Sequence, residues 1–129
     1  MQPGSAVLDV GCGAGFDLYV AALLTGPHGS VQGVDLTEAM VAKARENLRK
    51  VGIVNAEVRQ VETERLPFAD NSFDAIISNG VINLSPDKDA LFRELHRMLR
   101  PGGKFGYADI VLEKELPRGM AGSAEAWAQ

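Results

Sequence analysis

The run Val7-Leu8-Asp9-Val10-Gly11-Cys12-Gly13-Ala14-Gly15-Phe16 limits what this chain can fold into more than any other stretch. A short apolar segment, Ala6 to Val10, breaks into glycines at alternate positions, and a second apolar segment, Leu18 to Leu24, follows directly. A buried strand, a tight glycine turn and a core helix in that order bring bare backbone and the positive end of a helix to one edge of a sheet. The same alternation continues along the chain. Ser30 to Val34 reads as a second strand ending at Asp35, and Thr37 can cap a helix whose Met40, Ala44 and Leu48 recur every four residues before Gly52. Ala56 to Val61, Phe73 to Ser78 and Lys104 to Ile110 read as three more strands. Ser85-Pro86 offers an N-cap and first-turn proline for a helix striped with Leu91, Leu95 and Leu99, which Arg100-Pro101-Gly102-Gly103 should stop. Between Val61 and Phe73 no long amphipathic segment fits, so that crossover is expected to be loop with at most a short helix.

Strands alternating with helices predict an α/β fold, a Rossmann-like, doubly wound parallel sheet of about five strands in three α/β/α layers. Ligands of such sheets bind at the C-terminal ends of the strands. Residues 1–112 are expected to form the domain and residues 113–129, rich in Ala, Gly and Glu, a C-terminal segment that is either a short helix or disordered. With 129 residues, 46% of them hydrophobic, one core is the natural outcome. Neither a membrane span nor a secretory leader is visible, which points to the cytoplasm. The lone cysteine excludes an internal disulfide and a Cys-rich zinc site, and no metal site is expected. A net charge of −4 without a basic cluster argues against a nucleic-acid partner.

The glycine turn suits a nucleotide-like ligand. The dinucleotide pattern G-x-G-x-x-G would need its third glycine at position 16, where Phe16 stands, so NAD is disfavoured. Asp35, twenty residues after Gly15 at the end of the second strand, is where a carboxylate can accept both hydrogen bonds of a ribose diol.

Through Val7-Leu8-Asp9-Val10-Gly11-Cys12-Gly13-Ala14-Gly15, Asp35, Leu66-Pro67-Phe68 and Leu99-Arg100-Pro101-Gly102-Gly103, the chain resembles class I S-adenosylmethionine-dependent methyltransferases. Over Ser78-Asn79-Gly80-Val81-Ile82-Asn83-Leu84-Ser85-Pro86-Asp87-Lys88 it is similar to their arsenite methyltransferase-like group. The resemblance implies S-adenosylmethionine as cofactor, with Gly11, Gly13 and Gly15 along its methionine part and Cys12 in the same cofactor-binding loop, where the residue itself reads as a small filler rather than a nucleophile. It also implies that Asp9 orients the cofactor's amino group, that Asp35 holds the ribose, and that Leu36 and Met40 flank the adenine. Glu62 falls where the family has an acid near the adenine amino group, Thr63 stands beside it, and Ser78 and Asn79 would face the methyl group. Plainer readings stand beside these: Asp9 as a cap for loop amides, Met40 as core, Glu62 as a solvated acid.

Two departures qualify the resemblance. The group's cysteine in its Ser-Asn-Cys-Val-Ile-Asn run is Gly80 here, and one thiol cannot surround arsenic as several soft donors would. The last two strands of the family's sheet are also missing, which would leave the fifth strand an edge able to pair with a second copy, unless the chain is a fragment. The expected function is methyl transfer to a small-molecule acceptor by alignment alone, with no catalytic residue assigned. The alternative is a cofactor-binding module without catalysis.

Overall fold

In a computed structural model the described residues are 2–61, 66–78 and 88–107. Eight elements follow in chain order: β1 (Ala6–Val10), α1 (Phe16–Thr25), β2 (Ser30–Asp35), α2 (Glu38–Lys50), β3 (Ala56–Gln60), β4 (Phe73–Ser78), α3 (Lys88–Met98) and β5 (Leu99–Tyr107). The strands form one five-stranded sheet in the order β3-β2-β1-β4-β5, and every pairing is parallel. The chain winds outward from β1 to β3, then returns to the other side of β1 at β4, so the order reverses between β1 and β4. In open sheets of this kind that reversal opens a crevice beyond the strand ends.

Alternation along the strands divides the core in two. Val7, Val31, Val58 and Ile77 pack with Leu18, Ala21 and Ala22 of α1 and Val41, Ala44 and Leu48 of α2 on one face. Leu8, Val10, Val34, Phe73 and Ile76 pack with Leu91, Leu95 and Met98 of α3 on the other. These are the three layers expected from the sequence. Gly33 draws α1 in close, because a Cβ there would lie 2.5 Å from Leu18 Cδ1. Leu66 is buried in the α3-side core, and Phe68 meets Phe73 edge to face at 5.1 Å. The Leu66-Pro67-Phe68 motif therefore anchors the loop that leads into β4.

Thr37 caps α2 as expected, its hydroxyl accepting from the Met40 N–H at 3.3 Å. Two boundaries differ. β3 stops at Gln60, one residue short of Val61. The helix ends at Met98 and Leu99 already belongs to β5, where it pairs with Phe73, while Lys104 pairs with Ala75. Arg100-Pro101-Gly102-Gly103 is thus an insertion within a strand. Its positive-φ residue, Gly102 (φ 83°), lets the backbone leave and rejoin the ladder. The predicted cap Ser85-Pro86, the strand end at Ile110 and the segment 113–129 lie outside the described residues.

Candidate functional site at the glycine turn

β1 ends at Val10, β2 at Asp35 and β4 at Ser78, all at the same end of the sheet, and the glycine turn crosses that end into α1. The turn requires glycine: Gly11, Gly13 and Gly15 have φ values of 78°, 52° and 96°, a region that side chains with a Cβ rarely enter. Its amides are largely committed within the protein. The N–H groups of Gly11 and Cys12 both donate to Val34 O (2.8 and 3.0 Å), and that of Gly15 donates to Cys12 O (2.9 Å). The Gly13 N–H donates to Asp35 Oδ2 at 3.0 Å. From α2, the Asn47 side-chain amide donates to Ala14 O at 3.0 Å. A loop that cradles phosphate has to leave such amides open; this one spends them on holding its own shape.

Asp35 has partners on both oxygens. Besides Gly13, the Thr37 N–H and hydroxyl donate to Oδ1 at 3.1 and 3.3 Å. The half-buried carboxylate therefore ties the glycine turn to the cap of α2. Leu36, exposed, and Met40, half-buried, stand beside it at the mouth, with the Leu36 carbonyl accepting from the Gln60 side chain at 3.1 Å.

Asp9 is the opposite case. It is fully buried, and neither carboxylate oxygen has a hydrogen-bond partner. Strand alternation puts it on the α1 side of the sheet, opposite Gly33 of β2. Burial holds its pKa well above the usual carboxylate range, and the negative charges of Asp17 and Asp35 push the same way. Cys12 shares this environment: burial raises its thiol pKa strongly, Asp9 and Asp35 add to the rise, and Sγ donates weakly to Gly13 O. It is a packed thiol. Ser78 is also buried with an unpartnered Oγ. It registers with Val10 and so lies on the α3 side, across β1 and β4 from Asp9.

α1 starts at this site without a side-chain cap, since Gly15 in the cap position has none to offer. A positive helix end therefore sits beside a buried, acidic floor. The described His, Cys, Asp and Glu residues do not gather as a metal-ligating group. The structure brings together Asp9, Gly11, Cys12, Gly13, Gly15, Asp35, Leu36, Met40 and Ser78 at one sheet end, whereas Glu62, Thr63 and Asn79 lie outside the described residues. Sequence reasoning missed Asp17 and Asn47. Both had a signal: an acid in the first turn of an otherwise apolar helix, and an asparagine inside a helix whose interior it does not favour.

Comparison with known proteins adds an independent line. A family model described as a methyltransferase domain matches residues 1–129. The arsenite methyltransferase of Halobacterium salinarum is 48% identical over 117 residues, covering 91% of this chain and 30% of that protein. The ubiquinone/menaquinone biosynthesis C-methyltransferase of Klebsiella pneumoniae is 41% identical over 119 residues, covering 91% of this chain and 45% of that protein. Among solved structures, an arsenic(III) S-adenosylmethionine methyltransferase from Chlamydomonas reinhardtii superimposes with a TM-score of 0.75 at 44% identity, over 81% of this chain and 38% of that one. The chain spans less than half the length of these relatives. The reversed strand order, the glycine turn and agreement along nearly the whole sequence make it a member of the class I S-adenosylmethionine-dependent methyltransferase family, of the arsenite methyltransferase-like kind.

Proposed function

We propose that these residues form the cofactor-binding core of a methyltransferase that passes a methyl group from S-adenosylmethionine to a small-molecule acceptor. The observation that carries this reading is the pairing of a glycine-started helix with a buried acid whose oxygens have no partner among the described residues, at one turn. The amino-acid end of S-adenosylmethionine is a zwitterion, so its carboxylate suits the start of α1 and its ammonium suits Asp9. A pyrophosphate would meet Asp17 and Asp35 with the wrong sign and would find the loop amides already used. The residues present thus fit the sulfonium cofactor and disfavour a dinucleotide.

In this reading Asp35 accepts from the ribose hydroxyls through lone pairs left over from Gly13 and Thr37, and Leu36 and Met40 flank the adenine. Ser78 and Asn79 face the methyl group, and Glu62 and Thr63 keep the adenine roles implied by the resemblance. The bound cofactor supplies a methyl group on a positively charged sulfur that is already a good leaving group. The chain's own part is to hold that end fixed and shield it from water, leaving transfer to the alignment of acceptor and methyl. No base is needed for an acceptor that arrives with a free electron pair.

The acceptor we assign is not arsenite held by these residues. Arsenic(III) calls for several thiolates, and Cys12 is a buried thiol with a raised pKa. Gly80 stands where the group has its cysteine. The same two facts favour the second reading, a module that binds the cofactor without turnover. A cytoplasmic setting without a nucleic-acid partner belongs to the proposal; among the described residues no helix is long and apolar enough to cross a membrane. So does a homodimer through β5. Arg45 covers the opposite edge by donating to Val58 O of β3, whereas β5 presents exposed Phe105 beside exposed Phe92. Sedimentation of Phe105→Glu against the parent chain tests that partner, and a parent that is already monomeric removes it.

Isothermal titration with S-adenosylmethionine, S-adenosylhomocysteine and NAD tests the cofactor. The first two should bind and NAD should not; the reverse overturns the reading. Labelled methyl transfer to a panel of thiols, amines, hydroxyl compounds and arsenite then separates the enzyme from the silent module.

A further inference from the structure

Asp9 lies near the end of β1, the central strand of the sheet. β2 opposes it with Gly33, which has no side chain, and two positions on carries Asp35. β4 opposes it with Ile77, followed by Ser78. α1 contributes Leu18 and, in its first turn, the buried Asp17, and the turn contributes the Cys12 thiol. α2 has the nearest cations in sequence, yet Arg45 is spent on Val58 O, Arg49 on Glu46, and Lys43 and Lys50 are exposed. Among the described residues the charges that act on Asp9 are both acids. With no hydrogen bond or counter-ion among the described residues and two acids nearby, burial favours the neutral form of the Asp9 side chain.

We infer that Asp9 is the residue through which this site reads the positive charge of its ligand: it carries a proton in the free protein and releases it to solvent when a cationic ligand takes its place under the glycine turn. This rests on the cofactor reading above. The step is an ionisation: the carboxyl O–H bond breaks, the proton goes to water or buffer, and the electron pair stays on Asp9 as the charge facing the ligand. A ligand of the same shape without a cation gives Asp9 nothing to pair with and leaves its proton in place. Binding of a cationic ligand should therefore strengthen with pH, by up to tenfold per pH unit while the free protein holds the proton, and then level off. Asp9 is thus a specificity-determining residue, which favours the charged ligand over an uncharged adenosine.

The test is titration calorimetry of this chain at fixed pH, between pH 5.5 and 7, in pairs of buffers with different ionisation enthalpies. In that range the ligand's own ammonium, with a pKa of roughly 7.7–8.0, stays charged. S-adenosylmethionine is the cationic probe and adenosine the neutral one. The expected result is release approaching one proton with S-adenosylmethionine and almost none with adenosine. Asp9→Asn should bring the first figure down to the second and flatten the pH profile of affinity. S-adenosylmethionine binding without buffer-dependent heat, or equal release with both probes, overturns the inference while leaving the cofactor reading standing. No binding of S-adenosylmethionine at any pH overturns both. Should Asp9→Asn fail to fold, the two probes on the parent chain decide the matter alone.

Discussion

Asp9 and Asp74 lie on neighbouring strands of one sheet and have opposite lives. Asp74, near the start of β4, accepts the Ala6 N–H at 2.8 Å and both of its oxygens accept from Arg100 Nη1 at 2.9 Å. The Ala6 amide, ahead of Arg100, holds its pKa below the usual carboxylate value. Asp9, near the end of β1, is buried more deeply and has none of this. The first acid is satisfied by the fold it stabilises. The second is left unsatisfied by the same fold, at the end where the strand order reverses. A protein retains an orphaned buried acid at a cost of order 1–3 kcal/mol, and under the proposed function that cost falls at the ligand-binding end of the sheet. Asp35 stands between the two, partnered like Asp74 but positioned with Asp9.

Substitutions at these acids test the contrast directly. The largest effect belongs to Asp35→Ala, which removes both the proposed ribose acceptor and the anchor of the Gly13 amide; affinity for S-adenosylmethionine should fall about 100-fold, as expected for losing charged hydrogen bonds, and an unchanged Kd by calorimetry would refute the role. Stability should drop as well, because Thr37 loses its partner.

Asp9→Asn should act in the opposite direction on the free protein, raising stability in urea by about 1–2 kcal/mol at neutral pH. The sign follows from the raised pKa. Stability contributed by neutral Asp9 is complete below the unfolded value of about 4 and is lost as pH rises through the higher folded value, so the gap between variant and parent should widen with pH. A gap that narrows would mean that Asp9 has a partner after all.

Asp74→Ala should cost about 1 kcal/mol, mostly from the Ala6 amide, since the Arg100 pair is partly exposed and screened. Its contribution is present above the unfolded carboxylate value and disappears as pH falls through the lowered folded value. Cofactor affinity should not change, and a loss there would erase the distinction between the two ends of the sheet. The smallest effect is expected for Glu46→Ala, which breaks an exposed pair with Arg49 on α2 and should leave the melting temperature where it was.

Much of this was legible from patterns of neighbouring residues. The strand Ala6–Val10, the cap at Thr37, the end of β2 at Asp35 and the strand Phe73–Ser78 all agree with the sequence reading, because each rests on a local rule of periodicity, capping or turn chemistry. The reading failed at Arg100-Pro101-Gly102-Gly103. A proline and two glycines stop a helix and also interrupt a strand, and only the pairing of Leu99 with Phe73 and Lys104 with Ala75 distinguishes the cases.

The site divides in the same way. Glycines at 11, 13 and 15 that end a strand and open a helix, and an acid at the next strand's end, follow from backbone conformation and chain order alone. The sequence could not say that the turn's amides are consumed by Val34, Cys12 and Asp35, that Asn47 reaches Ala14 from another helix, or that Asp9 is walled in without a partner. Those depend on which strands become neighbours and which faces they turn inward. Hydrogen bonding and desolvation depend on proximity in space, so whether an acid is a satisfied structural group or a poised functional one was decided only when the sheet assembled.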